Sequence, residues 1–325
     1  MSIRKVVVTF SGWEREFQEA ATNSGFSGAL VCPSNPAEIV VEIADADAVI
    51  VGDFNAEMLA AATDLQLIYA FSGGVNGMLF PELVASAVPM VCLKPIFGTV
   101  AAEHAIAAML RFTRRFDHPP ASAPMTQWDL GYDEVALPFD LEGCTVGIVG
   151  LGTMGSAIAQ RARAMGMRVL GLTRTPRQND IADGFYTNDR RASFLGACDF
   201  VVIAVPVTPA TEGIIDAAFL QEMKSSAYLI DSSGRTVLFD FAALVSAIGA
   251  QTIAGVALQP GGAKEGVGIP PAEDPFWRRP NVYVTTCRGT SMQTNHKALE
   301  LVMENLRRLD AGEPLLGLAD KMAGY

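Results

Sequence analysis

Three glycines, Gly150, Gly152 and Gly155, lie between an apolar run at residues 146–149 and an amphipathic stretch ending at Gly166. Strand, tight turn and helix in that order put Gly150 in the turn, Gly152 where backbone approaches a pyrophosphate, and Gly155 where the helix packs on its strand. Phosphates would then face the unpaired N–H groups of the first helical turn, which adds Thr153 and Met154 to the candidate cofactor contacts. A second strand is expected at residues 167–172. An acidic residue normally ends that strand, roughly 20 residues past the glycines, and holds the adenosine ribose of NAD. Here the strand runs into Thr173, Arg174 and Thr175, with Arg177 beyond Pro176. Hydroxyl and guanidinium groups accept a 2′-phosphate that a carboxylate would repel, so the expected cofactor is NADP, with NAD still open. The alternative is that Arg174 and Arg177 are solvated loop charges.

A second candidate is the glycine-rich segment FSGGVNGM, residues 71–78, which follows an expected strand at residues 67–70. Loops at the C-terminal ends of parallel strands bind ligands, and the backbone N–H groups around Ser72, Gly73 and Gly74 could hold a carboxylate. A plain tight turn is the other reading. Three histidines and five cysteines show no metal-ligand spacing, so no metal is expected. His118 and His296 read as solvated, and Lys94 as an exposed lysine near the site.

The elements that position these residues alternate along the chain. Strands are expected at 5–10, 29–32, 48–51, 67–70 and 89–93, with helices at 13–23, closed by Gly25, and at 56–62. Such alternation predicts a parallel sheet with helices on both faces. A helix at 99–115 puts Ala105, Met109, Phe112 and Phe116 on one face, and residues 118–138, with four prolines, read as a linker or extended arm. Further strands are expected at 200–205, 227–231, 253–257 and 282–285, and Leu299, Val302, Met303, Leu306 and Leu309 mark a last helix.

The 325 residues suit two domains. Twenty-four basic against 35 acidic residues give a formal charge of −11, which argues against nucleic acid or an anionic membrane and leaves a small molecule as the expected partner. Scattered cysteines without a CxxC pair and an N-terminus without a long apolar segment point to the cytoplasm. No uncharged apolar run reaches the ~20 residues that cross a bilayer.

The stretches VAAEHAIAAML (100–110), VGIVGLGTMG (146–155), VIAVPVTPATEGII (202–215), FLQEMKSSAYLIDSSG (219–234) and DPFWRRPNVYVTT (274–286) together resemble the D-isomer-specific 2-hydroxyacid dehydrogenase family. The resemblance implies an α/β protein of two domains, a flavodoxin-like substrate domain and a Rossmann dinucleotide-binding domain, each a parallel sheet with helices on both faces. It places the substrate domain at residues 1–98 and 293–325, the cofactor domain at 99–292 and a cleft between them, and it implies a homodimer. Val205, Pro206 and Asp231 join the cofactor contacts, and Phe97 joins Ser72, Gly73 and Gly74 as a substrate contact. His104, on the expected bridging helix, is structural by the same resemblance.

The family's chemistry is hydride transfer between nicotinamide and the 2-carbon of a hydroxy or oxo acid. An Arg binds the carboxylate, a His moves the proton and a Glu keeps that His protonated. The family's IN(A/T)SRGxxVD motif matches IDSSGRTVLFD, which puts Gly234 at the Arg position and Arg235 next to it. The LDVFxxEP motif matches VALQPGGA, with Gly262 at the Glu and Ala257 at an Asp that holds the nicotinamide carboxamide. NVxxTPHxxG matches NVYVTTCRG, with Cys287 at the His and Arg288 following. Arg235, Cys287 and Arg288 are therefore the candidates for a rebuilt catalytic set, with the Ser232 or Ser233 hydroxyl or water as other proton sources. Three functions are compatible with this reading: an NADP-linked oxidoreductase with an atypical active site, a non-redox enzyme on the same cleft, and a catalytically silent NADP-binding protein.

Overall fold

Short runs of valine, isoleucine and leucine bounded by turn residues become strands in both halves of the chain. The computed structural model describes residues 3–116, 137–175, 180–259, 268–285 and 291–325. These fall into two compact units, one drawn from Met1–Phe97 with Thr290–Tyr325 and the other from Gly98–Gly289.

In the first unit the strands are β1 (Lys5–Val8), β2 (Ala29–Val31), β3 (Ala48–Val51), β4 (Leu67–Ala70) and β5 (Met90–Cys92). They form a parallel sheet of order β2-β1-β3-β4-β5, the flavodoxin-like arrangement. Helices α1 (Glu14–Ser24), α2 (Pro36–Ile43), α3 (Ala56–Ala61) and α4 (Pro81–Ala85) connect them. Side chains alternate between the faces of a strand, so Val6 and Val8 share a core with Phe17 of α1, whereas Val7 joins Ile43 of α2 and Leu83 of α4. Both faces are covered, which is why the strands read as unbroken apolar runs.

The second unit opens with α5 (Gly98–Thr113) and continues through β6 (Thr145–Val149), α6 (Thr153–Ala164), β7 (Arg168–Leu172), β8 (Gly184–Tyr186) and α7 (Arg191–Leu195). It closes with β9 (Phe200–Ile203), α8 (Ala217–Glu222), β10 (Tyr228–Asp231), α9 (Phe241–Gly249), β11 (Gly255–Leu258) and β12 (Val282–Val284). The seven strands are parallel in the order β8-β7-β6-β9-β10-β11-β12, the Rossmann order with one strand added. Ala105, Met109 and Phe112 of α5 and Ile158 and Ala162 of α6 cover one face; Phe194, Phe219 and Phe241 cover the other. The last helix, α10 (Met292–Ala311), belongs to the first unit and packs against α1.

Carboxylates tie the N-terminal ends of the strands. Asp47 accepts the Arg4 and Lys5 N–H groups at 2.7 and 2.9 Å, Asp199 the Thr145 N–H at 2.8 Å, and Asp183 the Val169 N–H at 2.8 Å. The C-terminal ends therefore remain the edges where each sheet can receive a ligand.

Expectation and structure differ in two places. Phe116 does not share the buried face of Ala105, Met109 and Phe112: α5 ends at Thr113, Arg115 turns the chain with a φ of 56°, and Phe116 is 67% exposed. Helices α2, α4, α7, α8 and α9 and strand β8 were not expected, although Asn35, Asp216 and Asp240 each cap a helix through their side chains. The expected linker falls mostly on residues 117–136, outside the described residues.

Candidate active site

The glycine turn after β6 is built as a phosphate cradle. Gly150 takes a φ of 94°, where a side chain is strained, and a Cβ on it would lie 2.8 Å from the Ala204 carbonyl oxygen and from Val205 Cγ1. On Gly155 a Cβ would lie 1.9 Å from the Gly150 carbonyl oxygen, so only glycine lets α6 sit this close to β6. Gly152, the N-cap of α6, has nothing within 4 Å of its Cβ position and no side-chain cap. The N–H groups at Thr153 and Met154 thus begin a helix whose N-terminal end faces open space, where an anion is stabilised.

The residues around this turn come from the neighbouring strand ends. Gly150 N–H donates to the Leu172 carbonyl at 2.9 Å, which sets the end of β7 beside the turn. Thr173 follows half-buried, its hydroxyl donating to the Thr175 carbonyl at 3.0 Å, and Arg174 and Thr175 are exposed. On the other side β9 gives way to Ala204, half-buried Val205 and exposed Pro206. The turn lies where strand order reverses, between β7 and β9 on either side of β6.

At the end of β10 one of the expected cofactor contacts is buried in its own turn. Asp231, placed with the cofactor contacts, is 1% exposed. Its Oδ1 accepts the Ser233 and Gly234 N–H groups at 2.8 and 3.2 Å and the Ser233 hydroxyl at 2.6 Å, and its Oδ2 the Gln259 N–H at 3.4 Å. The carboxylate is thus spent on folding the turn. Burial raises its pKa while these donors oppose the rise. Gly234 adopts a φ of 66°, and half-buried Arg235 begins the one-turn helix Thr236–Leu238, its N–H donating to Ser233 Oγ at 3.1 Å. Ser232 Oγ and Thr236 Oγ1 are buried and lack a partner among the described residues.

Ala257 lies inside β11, fully buried in the core. Gln259, just past the strand, is 4% exposed and donates its N–H to Asp231 Oδ2. Val256 and Leu258 face one core and Ala257 the other, as alternation along a strand requires.

In the first unit, the loop after β4 carries Ser72, Gly73 and Gly74. Ser72 Oγ donates to the Gly74 carbonyl at 2.6 Å, and its own carbonyl accepts the Leu93 N–H at 2.8 Å. Among the described residues the Gly73 and Gly74 N–H groups meet no acceptor. The Phe97 ring lies against Gly73, 3.0 Å from its Cβ position. Lys94 is half-buried rather than exposed and donates to the Leu318 carbonyl at 2.7 Å.

Arg177, Gly262, Cys287 and Arg288 lie outside the described residues. Cys32, Cys92, Cys144 and Cys198 are free thiols, and no group of three or more potential metal-binding side chains exists among the described residues. No described helix is long and apolar enough to cross a membrane.

A Rossmann sheet with a glycine cradle and a flavodoxin-like sheet in one chain are the parts expected of a dinucleotide-dependent enzyme. The chain belongs to the D-isomer specific 2-hydroxyacid dehydrogenase family: the model of that family's NAD binding domain matches residues 106–288, more than half of the sequence. It is 29% identical over 276 residues to glyoxylate/hydroxypyruvate reductase A of Photorhabdus laumondii, across 83% of this chain and 84% of that protein. The fold is shared with the NADPH-dependent glyoxylate/hydroxypyruvate reductase of Sinorhizobium meliloti, solved with NADP and sulfate, at a TM-score of 0.78, 24% identity and coverage of 99% and 100% of the two chains. It is also shared with a D-isomer specific 2-hydroxyacid dehydrogenase of Xanthobacter autotrophicus solved with NADPH, at a TM-score of 0.79, 24% identity and full coverage of both chains (100%). The protein is thus a member of a family of NAD(P)-dependent oxidoreductases that interconvert CH–OH and C=O.

Proposed function

We propose that this protein is an NADP-linked reductase of 2-oxo acids whose proton and carboxylate groups differ from those usual in its family. The observation that carries the reading is the cradle at Gly152, open at its Cβ position and set at the uncapped start of α6. Thr173, Arg174 and Thr175 support NADP, because no carboxylate among them repels a 2′-phosphate, and Arg177 is assigned as a second grip. The relative from Sinorhizobium meliloti, NADPH-dependent by description, supports the same preference. The first unit is assigned as the substrate domain and the second as the cofactor domain. A homodimer is proposed on the family resemblance, and a cytoplasmic setting on the free thiols among the described residues.

When bound, the nicotinamide supplies the hydride that turns a carbonyl into an alcohol. The chain's own residues bind and orient the substrate. The Gly73 and Gly74 N–H groups are assigned to hold a carboxylate. Of the two candidate hydroxyls, Ser233 is committed to Asp231 and Ser232 Oγ is buried, so water is the group assigned to supply the proton to the new alkoxide. Cys287 remains the alternative donor.

The test is NADPH and NADH oxidation at 340 nm against a panel of 2-oxo acids, repeated with Arg174→Ala. Loss of one charge-assisted phosphate contact should weaken NADPH by about 10- to 100-fold and leave NADH within about twofold. Equal loss for both cofactors sinks the assignment of Arg174. Tight NADPH binding with silence across the panel would favour a non-catalytic binding role.

A further inference from the structure

The sheet of the first unit carries an apolar cavity of about 250 Å³ at its C-terminal edge. Its walls are Phe10 past β1, Gly52 past β3, Phe71 past β4, and Ile96 and Phe97 past β5, with Trp13 at the start of α1. In the order β2-β1-β3-β4-β5 the strand order reverses at β1 and β3, and ligands in such sheets settle at that reversal. Phe10 and Gly52 place the cavity there.

The walls are aromatic and mutually braced. Phe71 lies 5.2 Å from Phe10, 5.2 Å from Trp13 and 5.6 Å from Phe17, centroid to centroid, in tilted or edge-on pairs that hold the rings without filling the space. Among the described residues no charged side chain lines the cavity. Of its polar lining residues, Thr294 bonds to the Ser291 cap at 2.8 Å through its hydroxyl, and Asn295 is exposed on α10. Gly52 contributes no side chain, which leaves room, since a Cβ there would sit 3.7 Å from the Phe10 ring. An apolar cavity of about 150 Å³ is enough to hold benzene, so this one accepts a phenyl ring with space for its linking carbon. A two- or three-carbon polar acid would leave most of these walls without contact.

The cavity is connected to the anion loop by one residue. Phe97 forms a wall of the cavity and lies against Gly73, whose N–H meets no acceptor among the described residues. Aromatic walls and backbone donors on the same unit fit a carboxylate and a ring carried by one small molecule. We infer that the substrate is a 2-oxo acid bearing an aryl side chain, of the phenylpyruvate type, with its ring in this cavity. The inference rests on the reductase reading for its chemistry, though the cavity itself does not depend on that reading.

The experiment has two arms that fail separately. With NADPH in excess, kcat/KM for phenylpyruvate should exceed that for glyoxylate by about 100-fold, the scale expected when a ring replaces a hydrogen in an apolar site. Gly52→Leu, whose Cβ meets only ordinary contact with the Phe10 ring and whose remaining atoms take up cavity space, should cut the phenylpyruvate-to-glyoxylate ratio by at least about tenfold. A preference for glyoxylate, or a ratio unmoved by Gly52→Leu, overturns the inference while leaving the reductase reading intact. If no 2-oxo acid is reduced, the reductase reading fails. Phenylpyruvate is then titrated without cofactor against the fluorescence of Trp13, with Trp13→Phe as the control. Saturable quenching that Gly52→Leu weakens upholds the cavity as an aryl site; no quenching at millimolar ligand overturns it.

Discussion

Alanine at Gly152 and alanine at Gly155 separate the two tasks of the glycine turn. At Gly155 the new Cβ would stand 1.9 Å from the Gly150 carbonyl oxygen and 3.1 Å from Ile148 Cγ2. The first contact is with backbone and is about 1.5 Å short of van der Waals separation, so α6 must lift from β6. That helix buries Ile158, Ala159 and Ala162 completely, and the lift loosens all three. Overpacking of this kind costs about 1–3 kcal/mol, which lowers Tm by about 3–10 °C. At Gly152 the Cβ meets nothing within 4 Å and φ is −77°, so the fold accepts alanine at the cost of a slightly poorer helix cap. The methyl group instead occupies the space assigned to the pyrophosphate. NADPH affinity should fall by about 10- to 100-fold, or about 1.4–2.7 kcal/mol, with Tm of the free protein within about 2–3 °C of the parent. Calorimetry without ligand and NADPH fluorescence titration measure the two effects. A Gly152→Ala protein that binds NADPH as the parent does would refute the cradle, and a Gly155→Ala protein that melts with the parent would refute the helix–strand contact.

Two further predictions concern buried titratable groups. His104 of α5 has a buried Nε2 without a partner among the described residues, and burial lowers its pKa below the ordinary 6.5. A base with a lowered folded pKa contributes stability above its unfolded value and loses it as pH falls through the folded one. Urea unfolding from pH 8 down to pH 5 should therefore cost the parent more than His104→Gln; parallel losses would remove His104 from the account. The Cys198 thiol, pushed up to about 12 by burial and set against the bare Gly147, should resist iodoacetamide at pH 8 in the folded protein. Peptide mass spectrometry that found Cys198 alkylated without unfolding would contradict that packing.

Much of the architecture was legible because parallel strands buried on both faces leave compact apolar runs. The expected strands at 48–51 and 67–70 coincide with β3 and β4, and the helix closed by Gly25 ends on that residue in the left-handed conformation. The short helices were harder to read, since α7 and α8 have too few turns for a 3.6-residue period to stand out. Capping side chains at Asn35, Asp216 and Asp240 carried the better signal. Phe116 fits the periodicity of α5 yet lies outside it, because a period cannot register that Arg115 has turned the backbone.

The turn after β10 is organised by Asp231. The family motif has Asn, then Arg followed by Gly; this chain has Asp231, then Gly234 followed by Arg235. An ionised carboxylate can only accept hydrogen bonds, and Asp231 is satisfied by the Ser233 and Gly234 N–H groups and the Ser233 hydroxyl. Presenting those donors requires the left-handed backbone at residue 234, with a φ of 66°, which glycine adopts and arginine resists. Space is not the obstacle, since a Cβ there would meet only the Gln259 carbonyl at 3.5 Å. Arg235 then takes an extended conformation, φ −121° and ψ 98°. Gly234 and Asp231 are thus two parts of one turn, the glycine supplying the left-handed backbone and the carboxylate the acceptor for its N–H groups.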